Sequence, residues 1–321
     1  MDRDTGKVVK GVGGLYTVRT PSGTYEARGR GIFRKDGIRI LIGDNVELSP
    51  DDENSGFVIT AVKPRKNRLI RPAAANIDNI FLVISASNPK PDLLLLDRIL
   101  AVSEEKGILT HLVINKMDQD PAEASRLFEE YRCAVRGGVF VTALAGGGSG
   151  EGTGKTADSG ETADSGNGEG AAETASEIRR MIPPGVTVLA GQSGVGKSTL
   201  TNLILDRSAM DTGDLSRKLS RGRHTTRHSE LFEISGDRYI IDSPGFSLFD
   251  AMEDVTAAEL KTLCPELAEV SGCRFPDCSH TGEPGCMAAP LVAEGRMSPG
   301  RYDRYKALYR ELKEKERNKY R

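Results

Sequence analysis

The sequence predicts a multidomain protein in which an N-terminal OB-like β-barrel precedes an α/β domain and a C-terminal helical module. Three observations carry this prediction. Short apolar segments separated by glycine turns fill residues 1–66, apolar strands alternate with helices from residue 78 onward, and one late loop, residues 273–286, holds three of the five cysteines. A chain of 321 residues is long enough for two or three domains with cores of their own.

The composition predicts a soluble, cytoplasmic protein without a membrane span. The hydrophobic share is 38%, the charged share is 28%, and the densest apolar run, residues 93–100, is interrupted by Asp97 and Arg98. A spanning helix needs about 18 predominantly apolar residues, and the first residues lack the apolar core of a signal peptide.

The net charge of −2 combines stretches of opposite sign. Residues 145–177 are acidic, whereas residues 217–227 and the tail after Arg296 are basic. A single basic face is commonly a solvated surface, but several basic zones on one chain favour a nucleic-acid partner.

The first domain, residues 1–66, is predicted to be the OB-like barrel. Its strands include LYTVRT, TYEARG and GFVITAV, and glycine-rich turns separate them. Closing four or five such strands removes exposed sheet edges, and the OB fold is a common five-stranded solution that often binds RNA or single strands. The fold alone does not establish that function.

The second domain, residues 67–251, is predicted to contain a parallel sheet with helices on both faces. DNIFLVISA, THLVINK and GGVFVTAL are predicted buried strands, and PDLLLLDRILAVSEEKG and PAEASRLFEEYR are predicted helices. Buried parallel strands joined by helices are typical of α/β domains. Residues 145–177 repeat TADSG and lack core-forming side chains, so they are predicted to be a disordered insert.

A phosphate-binding loop is predicted where GQSGVGKS follows the apolar strand GVTVLA. In this pattern, glycines turn backbone N–H groups toward phosphate oxygens at a helix N-terminus. The lysine reaches the β- and γ-phosphates, and the serine ligates Mg²⁺. The predicted nucleotide contacts here are Gly191, Gln192, Ser193, Gly194, Val195, Gly196, Lys197, Ser198 and Thr199.

The Mg²⁺ side is predicted from two later motifs. Asp242 ends the apolar segment YIID and begins DSPG, where the N–H of Gly245 can sense the γ-phosphate. Thr226, in GRHTT, is expected to meet Mg²⁺ and the γ-phosphate, with Thr225 as the alternative. The predicted Mg²⁺ ligands are therefore Ser198, Thr226 and Asp242.

A guanine-reading loop is predicted at NKMD, residues 115–118. The Asp118 carboxylate can accept hydrogen bonds from the ring N–H and the exocyclic amine of guanine, whereas adenine would leave it unpaired. Asn115 is expected to brace the loop and the base, and the Lys116 stem to cover the ring plane. Met117 is the remaining predicted GTP contact of this motif. A second base loop, formed by Thr142, Ala143 and Leu144, is placed to offer backbone N–H groups to the guanine oxygen.

These motifs stand in a cyclically shifted order, because the guanine reader precedes the phosphate loop. A parallel sheet tolerates such a shift when the original chain ends can be joined. A flexible linker of about 30 residues spans about 30 Å, so the acidic insert is long enough to join them. The sequence therefore predicts a circularly permuted α/β P-loop GTPase domain.

The motif set NKMD, GQSGVGKST, GRHTT, DSPG and CRFPDCSHTGEPGC resembles the circularly permuted, ribosome small-subunit-dependent GTPases of the RsgA/YjeQ/YloQ family. The resemblance covers nearly the whole chain and departs at the long insert. It implies hydrolysis of GTP to GDP and phosphate, stimulated by the small subunit, in late 30S assembly. The implied partners are the 30S subunit with its 16S rRNA and GTP/GDP, and a monomer is expected.

The third domain, residues 252–321, contains Cys273, Cys278, His280 and Cys286 with the spacing C-x4-C-x-H-x5-C. Clustered thiols in a cytosolic protein favour metal over disulfides. Four such ligands suit one closed, structural Zn²⁺ site per subunit. Buried thiols without metal are the alternative, and the family resemblance favours zinc.

Hydrolysis by the isolated protein is predicted to be slow, because Phe246 stands where Ras-like enzymes carry a glutamine that orients the attacking water. Another group must then orient that water. His224 in GRHTT is the candidate catalytic residue, which the resemblance also favours, although a loop histidine contacting RNA or solvent is the alternative. Two other functions stay open: a nucleotide-regulated RNA-binding adaptor and an ATPase. Stimulation by 30S subunits and the nucleotide preference of Asp118→Asn distinguish them.

Overall fold

The computed structural model describes residues 4–51, 56–70, 72–144, 176–205, 230–242, 252 and 255–319. The described residues belong to two compact units, one drawn from residues 1–79, 175–190 and 198–248, the other from residues 80–174, 191–197 and 249–321. His224, Thr226, Gly245 and residues 145–175 of the predicted insert lie outside the described residues.

The N-terminal strands close into a barrel in the order β1-β2-β3-β5-β4, and β4 returns to pair with β1. Only the β3–β5 pair is parallel. The elements are β1 Asp4–Val12, β2 Leu15–Thr20, β3 Gly23–Gly29, helix α1 Gly31–Lys35, β4 Asn45–Pro50 and β5 Phe57–Val62. The predicted OB-like barrel is confirmed.

Alternation of apolar and polar residues builds the barrel interior. Alternate residues of a strand point to opposite faces, and the inward positions form one buried cluster that includes Val8, Val18, Val46 and Ile59. Gly13 and Gly14, with φ of 61° and 88°, make the turn between β1 and β2.

A six-stranded sheet forms the α/β domain, with strand order β10-β9-β8-β11-β13-β12. If the strands are numbered from β11, the strand before the phosphate loop, the order is 6-5-4-1-3-2. The cyclic shift therefore changes where the chain begins in the sheet and leaves the arrangement of the strands unchanged. The elements are β6 Arg68–Leu69, β7 Ala74–Ala75, β8 Ile77–Ser85, α2 Leu93–Glu105, β9 Leu109–Asn115, α3 Pro121–Tyr131, β10 Val139–Val141, helix α4 (residues 176–181), β11 Gly185–Gly191, α5 Lys197–Ile204, β12 Leu231–Ser235 and β13 Arg238–Asp242.

Local signals set the ends of these helices. Asp92 and Asp120 are the N-caps of α2 and α3, and their side chains accept hydrogen bonds from the N–H groups of Leu95 and Glu123, both at 3.0 Å. Such caps satisfy N–H groups that have no partner in the helix. Helix α4 includes positions 176 and 177, the last two of the predicted insert, because Ile178 behind them is buried.

The C-terminal module is helical, with α6 Pro265–Ala268, α7 Ala288–Ala293 and α8 Pro299–Lys319. Its core combines side chains such as Leu267, Leu291 and Leu308 with Ala101 and Val102 of α2. Within the ranges that the structure describes, no helix is both long enough and apolar enough to cross a membrane.

Candidate nucleotide site and metal centre

The predicted phosphate loop connects the end of β11 to the start of α5. Gly194 and Gly196 have φ of 83° and 104°, a left-handed conformation that glycine adopts without strain. At Gly191 a Cβ atom would lie 2.2 Å from the carbonyl oxygen of Val83. The spacing of the three glycines is therefore required by the backbone path.

Asn115 joins the predicted guanine reader to the phosphate loop. This fully buried residue ends β9, and its Nδ2 donates to the carbonyl oxygen of Val195 at 2.8 Å. Its Oδ1 accepts from the N–H of Leu144 at 2.9 Å and from the hydroxyl of Thr142 at 3.2 Å. One amide side chain thus ties together three predicted segments that lie far apart along the chain.

Gly196 makes this junction possible. A Cβ atom at position 196 would lie 2.2 Å from Nδ2 of Asn115, closer than any van der Waals contact allows. The second glycine of the phosphate motif therefore provides both the left-handed turn and the space for the amide.

Lys116 adopts a left-handed φ of 64°, which is uncommon for a residue with a side chain. Its Nζ donates to the carbonyl oxygen of Asn88 at 2.5 Å, and the N–H of Met117 donates to Thr142 at 3.1 Å. Asp118 is exposed, as a base-contacting carboxylate must be. Asn88 carries no sequence motif, so the sequence analysis missed it.

The backbone N–H groups of the second base loop are not equivalent. That of Thr142 donates to Ile114 at 2.8 Å, and that of Leu144 donates to Asn115. Among the residues that the structure describes, the N–H of Ala143 has no acceptor. Of the three residues predicted to offer a backbone N–H to the guanine oxygen, Ala143 is therefore the one whose N–H stays a candidate.

The remaining phosphate-side residues divide between described and undescribed positions. The amine of Lys197 is largely buried and donates to the carbonyl oxygen of Gln192 at 2.8 Å. Ser198 is exposed in the first turn of α5, and Thr199 is half-buried. Asp242 ends β13 and pairs in parallel register with Leu189 of β11. A hydroxyl and a carboxylate are the oxygen ligands that Mg²⁺ accepts.

The four predicted metal ligands converge in the C-terminal module. Their ligand atoms, from Cys273, Cys278, His280 and Cys286, all lie within 4.8 Å of one another. Nδ1 of His280 is 3.6 Å from Sγ of Cys273 and 3.5 Å from Sγ of Cys286. Burial lowers the pKa of His280 and so favours the neutral imidazole that binds metals. This cluster can hold a metal ion.

The loop around these ligands is organised by Glu283. Its carboxylate accepts hydrogen bonds from the N–H groups of Ser279, Thr281 and Gly282 and from the Ser279 hydroxyl. Burial alone would raise the pKa of Glu283, but these hydrogen bonds, led by that of the Ser279 hydroxyl, lower it to about 2. The carboxylate therefore holds the turn between His280 and Cys286.

Family models match the barrel and the α/β domain. The RsgA GTPase family model matches residues 62–144 and 166–252, and the RsgA N-terminal domain model matches residues 5–58. The chain belongs to the RsgA GTPase family. It is therefore a GTPase, and the expectation drawn from the motifs is confirmed at the level of family and fold.

Two curated relatives of the family carry the name small ribosomal subunit biogenesis GTPase RsgA. The protein from Caldanaerobacter subterraneus subsp. tengcongensis is 36% identical over 322 residues, covering 100% of this chain and 99% of the relative. The protein from Agathobacter rectalis is 36% identical over 327 residues, covering 98% and 99%.

Two solved structures share the fold of this family. YjeQ from Thermotoga maritima has a TM-score of 0.73 at 28% identity, covering 97% of this chain and 99% of its own. YloQ, described as a circularly permuted GTPase, has a TM-score of 0.72 at 28% identity, covering 98% and 96%.

This RsgA family member also contains a buried ion network that the sequence analysis missed. Arg301 of α8 is 5% exposed and donates to Asp97 of α2 at 2.6 Å and to Glu266 of α6 at 2.6 Å. Arg304 continues the network to Asp97 and to Glu130 of α3. Burial raises the pKa of Asp97, although both arginines act in the opposite direction. The one sequence signal was the charge of Asp97 inside an apolar run.

Proposed function

We propose that this protein is a GTPase stimulated by the small ribosomal subunit that acts as a cytoplasmic monomer in late small-subunit assembly. Two observations support the proposal. The curated relatives named small ribosomal subunit biogenesis GTPase align over essentially their full length with this chain. Asn115 of NKMD donates a hydrogen bond to Val195 of GQSGVGKS, so the two predicted nucleotide motifs are in contact. This contact is the structural observation that supports GTP binding at the predicted site.

At the base, Asp118 accepts hydrogen bonds from guanine, the Lys116 stem covers the ring, and the Ala143 N–H donates to the guanine oxygen. At the phosphates, Lys197 leaves the Gln192 carbonyl and binds phosphate oxygens. Ser198, Thr226 and Asp242 would hold Mg²⁺, which would neutralise charge on the β- and γ-phosphates. Gly245 contacts the γ-phosphate, and His224 orients the attacking water.

The metal of the Cys/His cluster is proposed to be one structural Zn²⁺. Zn²⁺ in tetrahedral coordination holds sulfur and nitrogen ligands about 3.6 Å apart, given bond lengths of about 2.3 Å and 2.0–2.1 Å. The distances from His280 to Cys273 and Cys286, 3.6 and 3.5 Å, agree with that value. Four protein ligands would leave no position for a reacting water, so a bound ion would have a structural role in residues 252–321.

The barrel, residues 1–66, is proposed to contact the 16S rRNA. A cavity of about 390 Å³ on its surface is lined by Tyr16, Arg30 and Arg39, among others. Aromatic rings stack on unpaired bases, and arginine neutralises phosphate. Residues 67–251 are proposed to be the GTPase domain between this barrel and the zinc module.

The decisive experiment is phosphate release from GTP across a titration of purified 30S subunits, with 50S subunits as the control. We expect slow turnover alone and stimulation only by 30S. If turnover with 30S subunits equals turnover without them, the assembly GTPase is rejected and the nucleotide-regulated RNA-binding adaptor is favoured.

Base reading is tested separately with Asp118→Asn. The amide can donate to the 2-oxo group of xanthine, so the preference should move from GTP to xanthosine triphosphate. Retained GTP preference would contradict the role of Asp118.

The role of His224 is tested with His224→Ala, which should lower stimulated turnover while GTP affinity persists. Unchanged turnover would show that His224 has no part in catalysis.

A further inference from the structure

The barrel contacts one edge of the six-stranded sheet. β12 is the last strand of the sheet, and an uncovered edge would expose unpaired backbone groups. Lys10 of β1 forms an antiparallel bridge with Glu230, the residue before β12. Lys10 Nζ donates to Glu230 at 2.8 Å, and Arg19 of β2 lies 3.6 Å from Glu233 of β12. We name these two ion pairs the barrel clasp.

The barrel clasp stands at the nucleotide end of the sheet. β12 runs antiparallel to β13 with Leu231 opposite Ile241. Glu230, one residue earlier, is therefore level with Asp242, one residue later. Asp242 is the residue to which Mg²⁺ binding is assigned under the proposed function. Only one strand separates the barrel from the backbone of that residue.

The strand pairs on both sides of the barrel clasp are irregular beside its residues. The β1–β2 register shifts between Val8 and Lys10, and the β12–β13 register shifts between Glu233 and Ser235. Such bulges re-aim side chains and bend strands locally. Beside these irregularities, Lys10 of β1 faces Glu230 and Arg19 of β2 faces Glu233.

The second ion pair reaches β13 as well. Glu233 stands opposite Tyr239 of β13. Burial raises the pKa of Tyr239, Glu233 and Asp237 raise it further, and Arg19 acts in the opposite direction. Arg19, Glu233 and Tyr239 thus form one electrostatic group that runs from the barrel across β12 to β13.

Stability does not explain why these pairs are present. The Lys10 and Glu230 side chains are 38% and 39% exposed, and ion pairs at such exposure contribute little to folding. Their geometric role is to connect the start of β12 to strands β1 and β2 of the barrel.

We propose that the barrel clasp is the positioning device through which a ligand bound to the barrel controls the GTPase reaction. Lys10, Arg19, Glu230 and Glu233 act through β12 and β13 on the position of Asp242, so they are positioning residues. The ligand class is small-subunit RNA, and in this respect the inference rests on the proposed function.

The test compares Lys10→Glu, Glu230→Lys and the double variant that exchanges the two charges. Phosphate release is measured alone and with saturating 30S subunits, and 30S affinity is measured by co-sedimentation. Each single variant should lose stimulation by about fivefold or more, relative to its own unstimulated rate, because an allosteric coupling is broken. The double variant should regain at least half of it.

The double variant separates coupling from RNA binding. Glu230→Lys returns a positive charge beside position 10, so the variants are compared at saturating 30S subunits, where recovered stimulation does not depend on recovered affinity. Co-sedimentation checks that saturation is reached for each variant. Arg132→Glu, at the exposed end of α3, is the matched charge reversal: Arg132 pairs with Glu129 and with no residue of the barrel clasp, so this variant should keep full stimulation. Wild-type stimulation in both single variants, or a double variant as impaired as Lys10→Glu, would overturn the inference.

A second readout needs no ribosome. In the free protein, Lys10→Glu should speed hydrogen exchange in residues 231–242 and raise the Mg²⁺ concentration that half-saturates GTP turnover. The double variant should reverse both changes. If wild-type protein is not stimulated by 30S, the proposed function fails, and this readout still decides the barrel clasp: unchanged exchange and Mg²⁺ dependence overturn it.

Discussion

In the candidate metal centre the four residues come from one stretch, residues 273–286, whereas the predicted nucleotide site joins Asn115 to Val195 across 80 positions of the chain. The candidate metal ligands are side chains, and Glu283, whose carboxylate organises their loop, lies within the same stretch. The predicted nucleotide site depends instead on the buried amide of Asn115, which contacts backbone groups of Val195 and Leu144 in distant loops.

The two sites should therefore differ in how they respond to structural change elsewhere in the protein. A local metal centre can form or fail within its own module, because its ligands need no other domain to meet. A site assembled from distant loops fails when any one loop moves, even if every contacting residue is retained. Four substitutions, in decreasing order of expected effect, test this contrast.

Replacing a metal ligand should have the largest effect. Cys286→Ser should lose about one equivalent of metal and unfold the C-terminal module, because structural zinc contributes about 10 kcal/mol or more. GTP binding should persist, since the contact from Asn115 to Val195 is elsewhere. Metal analysis measures the loss of metal, and near-ultraviolet circular dichroism measures the unfolding of the module. Cys133→Ser, at an exposed cysteine, is the control. Full metal content in Cys286→Ser would contradict the ligand assignment.

Removing the buried arginine of the module should rank second. Arg301→Met leaves the carboxylates of Asp97 and Glu266 without their shared partner, and breaking such a pair costs about 3–5 kcal/mol. Lys313→Met, on the same helix, removes an exposed pair with Glu316 and should cost at most about 1 kcal/mol. Urea unfolding measures both variants. Equal losses would show that the network contributes no more than a surface pair.

A methyl group in the phosphate loop should rank third. Gly196→Ala forces Asn115 away from Val195 and should cost about 3 kcal/mol, from a lost buried hydrogen bond and backbone strain. Gly194→Ala carries only the strain, about 1–2 kcal/mol, because its nearest neighbouring atom is 3.8 Å away. Thermal unfolding without nucleotide compares them. If both variants lose the same stability, the space for the amide is not what Gly196 provides.

The pH dependence of His111 should be the smallest effect. This buried imidazole stacks on Phe81 at 4.3 Å, and burial lowers its pKa below the ordinary 6.5. The native state therefore binds fewer protons than the unfolded state, so stability is present above pH 6.5 and falls as pH decreases below it. His111→Asn, which can still donate to Gly137, should flatten this fall in urea unfolding between neutral and mildly acidic pH. An unchanged slope would exclude His111 as its source.

Much of the architecture was predictable because its signals are local. Short apolar segments separated by glycine turns predicted the barrel strands, and continuous apolar runs predicted the buried strands of the parallel sheet. The rotated motif order predicted the permuted sheet, since each motif lies at the end of a specific strand. The roles of His224, Thr226 and Gly245 stay predictions, because they lie outside the described residues.

The sequence alone was enough to predict the fold of each part, the residue types of the nucleotide motifs and the four candidate metal ligands, because periodicity and short spacings are properties of neighbouring residues. The contacts between distant elements became known from the packed structure: Asn115 with Val195, Lys116 with Asn88, Arg301 with Asp97, and Lys10 with Glu230. A residue pattern tells which face of an element is buried or which group is charged. The partner of that group depends on how distant elements pack, and no local pattern encodes it.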